Sequence, residues 1–328
     1  MRGLRSALRV AGLMAALGLP SAGQADGAQA PLFNGENALN LARKQCAFGP
    51  RSPLPQAAGG GGAVKPGATA HDRCRDFLIA ELTRLAGSVR RQDFTYTLPK
   101  GVPVGGGVTL KLTNVLASFQ PAAPKRVLLC AHWDTRPWAD LEIDPARRTQ
   151  PIPGANDGAS GVAVLLELAR LLRDHPAAYG VDIALFDGED LGTEAHPEAF
   201  FRGSSEYVAR LGADRPTHAI LLDMVGDADL QFKKEGYSWQ LAPTTLEWLW
   251  AAGRAVSPDH FQDRVGYFVL DDHIPLLKAK VPCVDLIDFD YAYWHTLADT
   301  PDKLSATSLQ VVGDVLISLL YPDPDSRP

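Results

Sequence analysis

Two histidines and several carboxylates are the side chains of this sequence best suited to bind a metal ion. They occur in five short segments: His132-Trp133-Asp134, Gly154 to Gly161 with Asp157, Asp187 to Asp190, Asp223, and Trp294-His295-Thr296. Imidazole and carboxylate donors without cysteine are typical of a zinc site that leaves one position open for substrate. The Glu189-Asp190 pair supports this interpretation, because adjacent carboxylates repel each other unless a cation lies near or one is protonated.

Each of these residues also has a structural explanation when it is taken alone. An aspartate at a strand end often caps a helix or forms a turn, which would account for Asp157 and Asp223. His132 and His295 each adjoin a tryptophan and could form packed polar–aromatic pairs. The metal site is favoured because all of these residues fall at one predicted edge of the fold.

Apolar runs and helical patterns predict the elements that position these segments. The apolar runs cover residues 125–132, 181–186, 218–224 and 281–287, and helical patterns cover 161–173, 204–211, 246–256 and 305–320. Such runs suit central strands that are covered on both faces. Their alternation with helices predicts an α/β protein, a three-layer α/β/α sandwich. Ligands of open α/β sheets bind beyond the carboxyl ends of the strands, where the polar segments would converge.

The composition excludes several classes of protein. The chain has 328 residues, of which 46% are apolar and 21% charged, close to globular averages. Its net charge of −6 argues against a nucleic-acid partner, which normally requires a basic excess. No apolar run reaches the roughly 20 residues of a membrane-spanning helix, so no stable membrane insertion is expected.

The first residues have the layout of a secretory signal peptide. A basic start is followed by a short apolar stretch at 10–19 and by small residues, so residues 1–25 are predicted to be removed, with cleavage as late as 30. The alternative is an N-terminal helix that is retained. Export to the periplasm or secretion is expected, and Cys46 and Cys74 could then pair across a Gly-rich loop. Cys130 and Cys283 lie in apolar runs and are expected to be buried free thiols.

The order of these motifs resembles that of the zinc-dependent aminopeptidases of the bacterial leucyl type. It resembles more closely the animal-type glutaminyl-peptide cyclotransferases, the glutaminyl cyclases, which belong to the same zinc aminopeptidase-like family. The motifs of the closer resemblance are Phe186-Asp-Gly-Glu-Asp190, Leu221-Leu-Asp-Met-Val-Gly226, Asp271-Asp-His-Ile-Pro275 and Trp294-His-Thr296. The resemblance spans about residues 33–321. It implies a zinc exopeptidase-like sandwich with a central mixed, mostly parallel sheet, and one zinc-dependent catalytic domain over residues 31–328.

The resemblance also implies a set of metal ligands. In the aminopeptidases this pattern holds two zinc ions, one on Asp157, Asp190 and His295 and the second on His132, Asp223 and the shared Asp157. The cyclases retain only the first ion. The closer resemblance therefore implies one zinc per chain, bound by Asp157, Asp190 and His295.

The reaction implied by the cyclases converts the N-terminal glutamine of a peptide or protein to pyroglutamate with release of ammonia. Glu189 matches the family's general base and acid, Asp223 and Asp271 match a carboxylate network around it, and Trp294 would form an apolar wall against the glutamine. Two alternatives stay open. They are a two-zinc aminopeptidase that releases N-terminal residues, with Glu189 activating a water, and a non-catalytic binding module that keeps the fold.

The sequence departs from the animal cyclases at three places. They carry Glu-Glu where this chain has Glu189-Asp190, so one expected ligand is shorter by a methylene. The segment 191–197 lacks a tryptophan that they place after the acidic pair, and Cys130 lacks a cysteine partner near Val162.

Arg136 follows the first strand end closely and is expected to pair with a nearby carboxylate.

Overall fold

The computed structural model describes residues 30–54, 69–212 and 215–322 of the chain. Its strands are β1 (Ser88–Thr97), β2 (Thr109–Phe119), β3 (Arg126–His132), β4 (Gly180–Phe186), β5 (His218–Asp223), β6 (Phe232–Glu235), β7 (Phe261–Tyr267) and β8 (Cys283–Ile287). Its helices are α1 (Gly35–Cys46), α2 (Ala70–Leu85), α3 (Ala159–Asp174), α4 (Arg202–Ala209), α5 (Gly236–Leu241), α6 (Pro243–Val256), α7 (His273–Lys278) and α8 (Ala306–Leu320).

The central sheet is mixed and mostly parallel. Its strand order is β1-β2-β4-β3-β5-β8, with antiparallel pairing of β1 with β2 and of β2 with β4. The other pairings, β4 with β3, β3 with β5 and β5 with β8, are parallel. Helix α3 packs on β3 and β5 together with α1, α2 and α8, while α4 and α7 pack together over the opposite face. The predicted three-layer α/β/α sandwich is therefore confirmed.

The strands that the apolar runs predicted are the central ones. β3, β4, β5 and β8 are almost entirely buried, because helices cover them on both faces. β1 was not predicted, because it is an edge strand whose arginine and aspartate side chains face solvent. α1 was not predicted either, although Asn34 caps this helix by accepting a hydrogen bond from the backbone N–H of Asn37.

Parallel pairing brings the polar strand ends to one edge of the sheet. β3 ends at His132, β5 ends at Asp223, and β4 ends immediately before Asp187, so these residues share that edge. Asp157 reaches the same edge because it precedes the first turn of α3. The segment after β8 carries His295 to it from the other side.

Helix α3 approaches the sheet closely at Gly161. A Cβ built on Gly161 would lie 2.2 Å from the carbonyl oxygen of Leu222 in β5 and 3.1 Å from the Cβ of Ala131 in β3. Gly161→Val is therefore expected to destabilise the protein by about 3 kcal/mol, because the backbone must shift to make room. Gly212→Val is the matched control, since a Cβ there meets nothing within 4 Å. Thermal unfolding of both variants checks this, and an unchanged Tm for Gly161→Val would contradict the close packing.

The structure bears on the expected disulfide but not on the predicted signal segment. The predicted signal segment, residues 1–25 with cleavage as late as 30, lies outside the described residues apart from Ala30. The expected pairing of Cys46 with Cys74 is absent, since both are free thiols, and burial raises the pKa of the Cys74 thiol to about 12 and keeps it protonated. Cys130 and Cys283 are buried free thiols, as expected.

No helix in the described part of the chain has the length and apolar character that crossing a membrane requires.

Candidate metal centre and its pocket

The residues predicted for catalysis, substrate binding and the single zinc line one pocket of about 550 Å³ at the carboxyl edge of the sheet. They are Asp157, Glu189, Asp190, Asp223, Asp271, Trp294 and His295. The volume lies within the range of small-molecule sites. Trp294 forms part of the wall and packs against the ring of Phe289, with ring centroids 4.8 Å apart. The structure therefore brings together every residue predicted for the one-zinc cyclase, whereas His132, the predicted ligand of a second ion, is not among the described residues that line this pocket.

Asp157, Asp190 and His295 form a group with the composition of a zinc site. The Nε2 atom of His295 lies 3.8 Å from Asp157 Oδ2 and 3.6 Å from Asp190 Oδ2. One ligand atom from each residue lies within 4.8 Å of the others, and all three side chains are buried. His295 adopts the left-handed backbone conformation, with φ of 55°, which costs free energy for a residue with a Cβ.

The partners of Asp190 and His295 leave one donor atom of each directed into the site. Arg136 donates to Asp190 Oδ1 at 2.5 Å, whereas Asp190 Oδ2 is buried without a hydrogen-bond partner. His295 Nδ1 lies 3.2 Å from Asp140 Oδ1, so Nε2 faces the carboxylates. An imidazole oriented by a carboxylate and an orphaned carboxylate oxygen both suit a bound zinc ion. The expected pairing of Arg136 with a carboxylate is confirmed.

The segment that carries Asp157 is held by Asp299, which the sequence analysis missed. Asp299 accepts hydrogen bonds from the backbone N–H groups of Asn156 at 2.8 Å and Asp157 at 3.2 Å, and from the hydroxyl of Tyr291 at 2.8 Å. Burial, followed by the neighbouring charge of Asp157, raises the pKa of Asp299 to about 7. These bonds fix the loop before α3. No local pattern marks this role, since Asp299 lies 142 residues from Asp157.

A second donor group shares Asp157 and is more tightly packed. His132 Nε2 lies 3.1 Å from Asp157 Oδ1 and 3.2 Å from Asp223 Oδ1, which are hydrogen-bond distances. Burial lowers the pKa of His132, but the carboxylates of Asp134, Asp157 and Asp223 raise it by more, so the pKa lies well above its usual range. His132 Nε2 forms a hydrogen bond with Asp223 Oδ1 and an ion-pair contact with Asp157 Oδ1.

Glu189 enters the pocket through a glycine turn. Gly188 has a φ of +76°, and a Cβ on it would lie 2.8 Å from the side chain of Leu112, so glycine suits the turn between β4 and Glu189. Desolvation by the surrounding protein, and then the negative charge of Asp190, raise the pKa of Glu189 well above its usual range. A carboxyl group with a raised pKa can exchange protons near neutral pH.

Asp271 belongs to a buried polar cluster that extends away from the pocket. Asp271 Oδ2 is buried without a hydrogen-bond partner, and burial followed by the charge of Asp223 raises its pKa well above its usual range. Behind it, His273 Nδ1 lies 3.6 Å from Asp285 Oδ2, and His273 Nε2 lies 3.2 Å from Glu235 Oε2. Asp271, His273 and Asp285 form a third donor group among the described residues.

The sequence analysis did not assign roles to His273, Asp285 or Glu235. His273 stands in the Asp-Asp-His-Ile-Pro string, and Asp285 interrupts the apolar run that predicted β8. A carboxylate inside a strand that is otherwise apolar is a signal that could have been followed, because a buried charge requires a partner.

Asp140 is expected to tune metal binding through His295. Asp140→Asn replaces the carboxylate that faces His295 Nδ1, and such oriented partners contribute about 10–100-fold to metal affinity. A competition titration with a chelator should therefore show zinc held about 10–100-fold more weakly. Asp302→Asn, at a side chain that is 68% exposed, is the control and should bind zinc as the parent does. Equal zinc affinities of the two variants would show that Asp140 does not support metal binding.

Comparison with known proteins agrees with this geometry. The model of Peptidase family M28 matches residues 114–320. The Tannerella forsythia glutaminyl cyclase structure is 36% identical, with a TM-score of 0.79 over 89% of this chain and 100% of that chain. A Zn-dependent exopeptidase from Parabacteroides distasonis is 32% identical, with a TM-score of 0.80 over 90% of this chain and 100% of that chain.

A curated animal relative shows the same resemblance. The glutaminyl-peptide cyclotransferase of Drosophila melanogaster is 26% identical over 260 residues, which cover 71% of this chain and 69% of that protein. The resemblance to the glutaminyl cyclases is therefore confirmed, together with the zinc exopeptidase-like fold. Because the family model matches residues 114–320 and the fold matches the solved structures, this chain belongs to peptidase family M28.

Proposed function

We propose that this chain is a zinc-dependent glutaminyl-peptide cyclotransferase, an acyltransferase that binds one zinc ion. Its substrates are peptides or proteins with an N-terminal glutamine, which it converts to pyroglutamate with release of ammonia. Similarity to bacterial glutaminyl cyclases over most of the chain supports this activity. The structural observation that carries the proposal is that Asp157, Asp190 and His295 line one pocket with Glu189.

The two groups differ in how they face the pocket. Asp157, Asp190 and His295 all line it, whereas His132 of the second group is not among the described residues that line it. Two ligands of a tetrahedral zinc ion, each roughly 2.0–2.1 Å from it, lie about 3.3 Å apart, so the spacing of both groups admits an ion. Only the first group has all three of its residues in the pocket, which favours one zinc on Asp157, Asp190 and His295.

Ring closure needs no external nucleophile, because the α-amine of the substrate attacks the γ-carbonyl of the same glutamine. Zinc, when bound, supplies Lewis-acid polarisation of that carbonyl oxygen. Glu189 takes a proton from the attacking nitrogen as the new C–N bond forms. It then returns a proton to the side-chain amide nitrogen, which leaves as ammonia when the old C–N bond breaks. The raised pKa of Glu189 suits both transfers.

Other pocket residues support Glu189 and the substrate. Asp223 and Asp271 line the same pocket, and the charge of Asp271 contributes to the raised pKa of Glu189. Their carboxyl groups would share protons with Glu189 as one coupled network. Trp294 would pack against the methylene groups of the glutamine and exclude water from them.

The products of a peptide that begins with glutamine test the proposal. The purified protein is incubated with zinc and the peptide, and the products are weighed by mass spectrometry. A product lighter by one ammonia, with the chain otherwise intact, is expected. A product that lacks its first residue would instead establish an aminopeptidase.

The two-zinc aminopeptidase remains the second candidate because of one observation. His132, Asp157 and Asp223 still come together as a complete donor group in the structure. In that case Glu189 would activate a water molecule for attack on the first peptide bond. Zinc content separates the candidates, since the aminopeptidase needs two ions per chain and the cyclase one.

Export of the protein is part of the proposal. The basic, apolar and small-residue layout of residues 1–25 supports removal of a signal peptide and a mature protein in the periplasm or outside the cell. N-terminal sequencing of the mature protein should find a first residue between Asp26 and Pro31. A mature chain that still begins at Met1 would contradict export by this route.

A further inference from the structure

A buried glutamate lies behind the pocket. Glu235 ends β6, its side chain is fully buried, and it is not among the described residues that line the pocket of Glu189. Burial raises the pKa of Glu235, but contact with His273 and bonds from backbone N–H groups lower it by more, so the pKa lies below its usual range. An ionised carboxylate in the protein interior must be matched by donors. Those donors show which segments Glu235 holds.

Both carboxylate oxygens of Glu235 accept two hydrogen bonds. Oε1 accepts from the backbone N–H groups of Tyr237 at 2.9 Å and Val269 at 3.2 Å. Oε2 accepts from the backbone N–H of Ser238 at 2.7 Å and from its hydroxyl at 2.8 Å. The bonds to Tyr237 and Ser238 cap the first turn of α5. The bond to Val269 joins this helix start to a separate segment of the chain.

That separate segment carries Asp271, which lines the pocket. Val269 stands two residues before Asp271, and His273 stands two residues after it. His273 Nε2 lies 3.2 Å from Glu235 Oε2, and its side chain is fully buried. The carboxylate of Glu235 therefore contacts the chain on both sides of Asp271.

Further contacts support the same segment. The hydroxyl of Ser238 accepts a hydrogen bond at 3.0 Å from the backbone N–H of Asp285 in β8. The side chain of Asp285 in turn faces His273, with Oδ2 at 3.6 Å from Nδ1. The ring of Phe268 packs edge-on against Tyr237, with centroids 5.2 Å apart. The support beneath Asp271 thus reaches the central sheet through β8.

We propose that Glu235 is a positioning residue for cyclisation, because it holds the chain on both sides of Asp271 and so directs the Asp271 carboxyl group into the pocket. This inference rests on the proposed function, in which Asp271 belongs to the network around Glu189. Glu235 stands behind the pocket lining, so its effect on the reaction passes through Asp271. Misplacing a group by about 1 Å can slow a reaction by about 10²-fold.

Glu235→Gln keeps the size of the side chain and removes one accepting oxygen. The amide NH₂ cannot accept the bonds that Val269 or Ser238 donate, so the segment around Asp271 loses part of its support. The kcat for cyclisation should fall by about tenfold, as expected for a partial displacement. KM should stay within about twofold and zinc content should be unchanged, because the groups proposed to hold glutamine and zinc remain in place.

Two other variants accompany Glu235→Gln. Glu247→Gln is the matched control, since Glu247 is 57% exposed and pairs with Lys234, the residue next to Glu235. It should cyclise the peptide as fast as the parent. Ser238→Ala removes one bond to Glu235 and should lower kcat in the same way by a smaller factor. Thermal unfolding of each variant sets a working temperature at which all are folded.

A double-mutant cycle with Asp271→Asn separates positioning from a general loss of structure. The variant with both Glu235→Gln and Asp271→Asn should be no slower than Asp271→Asn alone, because the group that Glu235 positions is already lost. The same result is expected for Ser238→Ala combined with Asp271→Asn. Independent effects would instead multiply in kcat.

The outcomes separate the inference from the function on which it rests. Effects that multiply, a parent-like kcat in Glu235→Gln, or loss of its zinc would overturn the positioning role while the cyclase stands. Full activity of Asp271→Asn would also overturn it, since no group would then remain for Glu235 to position. Failure of the parent to cyclise the peptide would overturn the proposed function itself.

Discussion

Glu189→Gln should reduce kcat/KM for cyclisation by about 10²–10⁴-fold while the protein keeps its zinc and its fold. Glutamine has the shape of glutamate, but its amide cannot take the proton from the attacking amine. Kinetics with a glutamine-initiated peptide and metal analysis by mass spectrometry, made on the same preparation, check both parts of this expectation.

The control for this variant is a glutamate of the same segment that faces solvent. Glu198 has a side chain that is 61% exposed and pairs with His196, and Glu198→Gln should cyclise the peptide as fast as the parent. Loss of zinc from Glu189→Gln would mean that Glu189 is a metal ligand. Full activity in Glu189→Gln would mean that another group carries the proton.

His295→Ala should lose the bound metal, whereas Asp223→Asn should keep it. His295→Ala removes one of three proposed ligands and is expected to abolish zinc binding and lower kcat/KM by about 10³-fold or more, because the Lewis-acid contribution amounts to several kcal/mol. Asp223→Asn keeps the size of the side chain beside His132 and should retain one zinc ion per chain.

The pair of variants separates the one-zinc site from the two-zinc site. Asp223 belongs to the donor group in which His132 Nε2 is within hydrogen-bond distance of both carboxylates. Two zinc ions in the parent and one in Asp223→Asn would contradict the single-ion proposal and restore the aminopeptidase as the better explanation. Elemental analysis of the three proteins decides between these results.

The four parallel strands of the central sheet could be predicted because they are buried on both faces. Burial of this kind demands continuous apolar runs, and the runs before His132 and Asp187 are visible in the sequence. β1 was missed because the solvent-facing positions of an edge strand can carry arginine and aspartate. Its pairing with β2 depends on a partner that the local sequence does not show.

The residues of the candidate site could be predicted because of where they stand in the chain. Polar residues that follow buried parallel strands must meet at one edge, and the structure places Glu189, Asp190 and Asp223 in one pocket for that reason. The sequence also placed Trp294 beside His295, and both line that pocket. Motif order therefore indicated the family and the donor atoms that the family needs.

The partners of those donors were decided only by the tertiary structure. Arg136 bonds to Asp190 across 54 residues, and Asp299 holds the backbone of Asp157 across 142 residues. Hydrogen bonds of this kind depend on the position of atoms in space, which sequence spacing does not specify.

The amino-acid sequence encodes the layers of the fold, the order of the strands along the chain and the chemical types at their ends, because periodicity and apolar runs are local features. Only tertiary packing places Asp157, Asp190 and His295 in one pocket and leaves His132 buried against Asp223. The physical reason is that backbone turns and distant partners orient these side chains, and no local pattern specifies either.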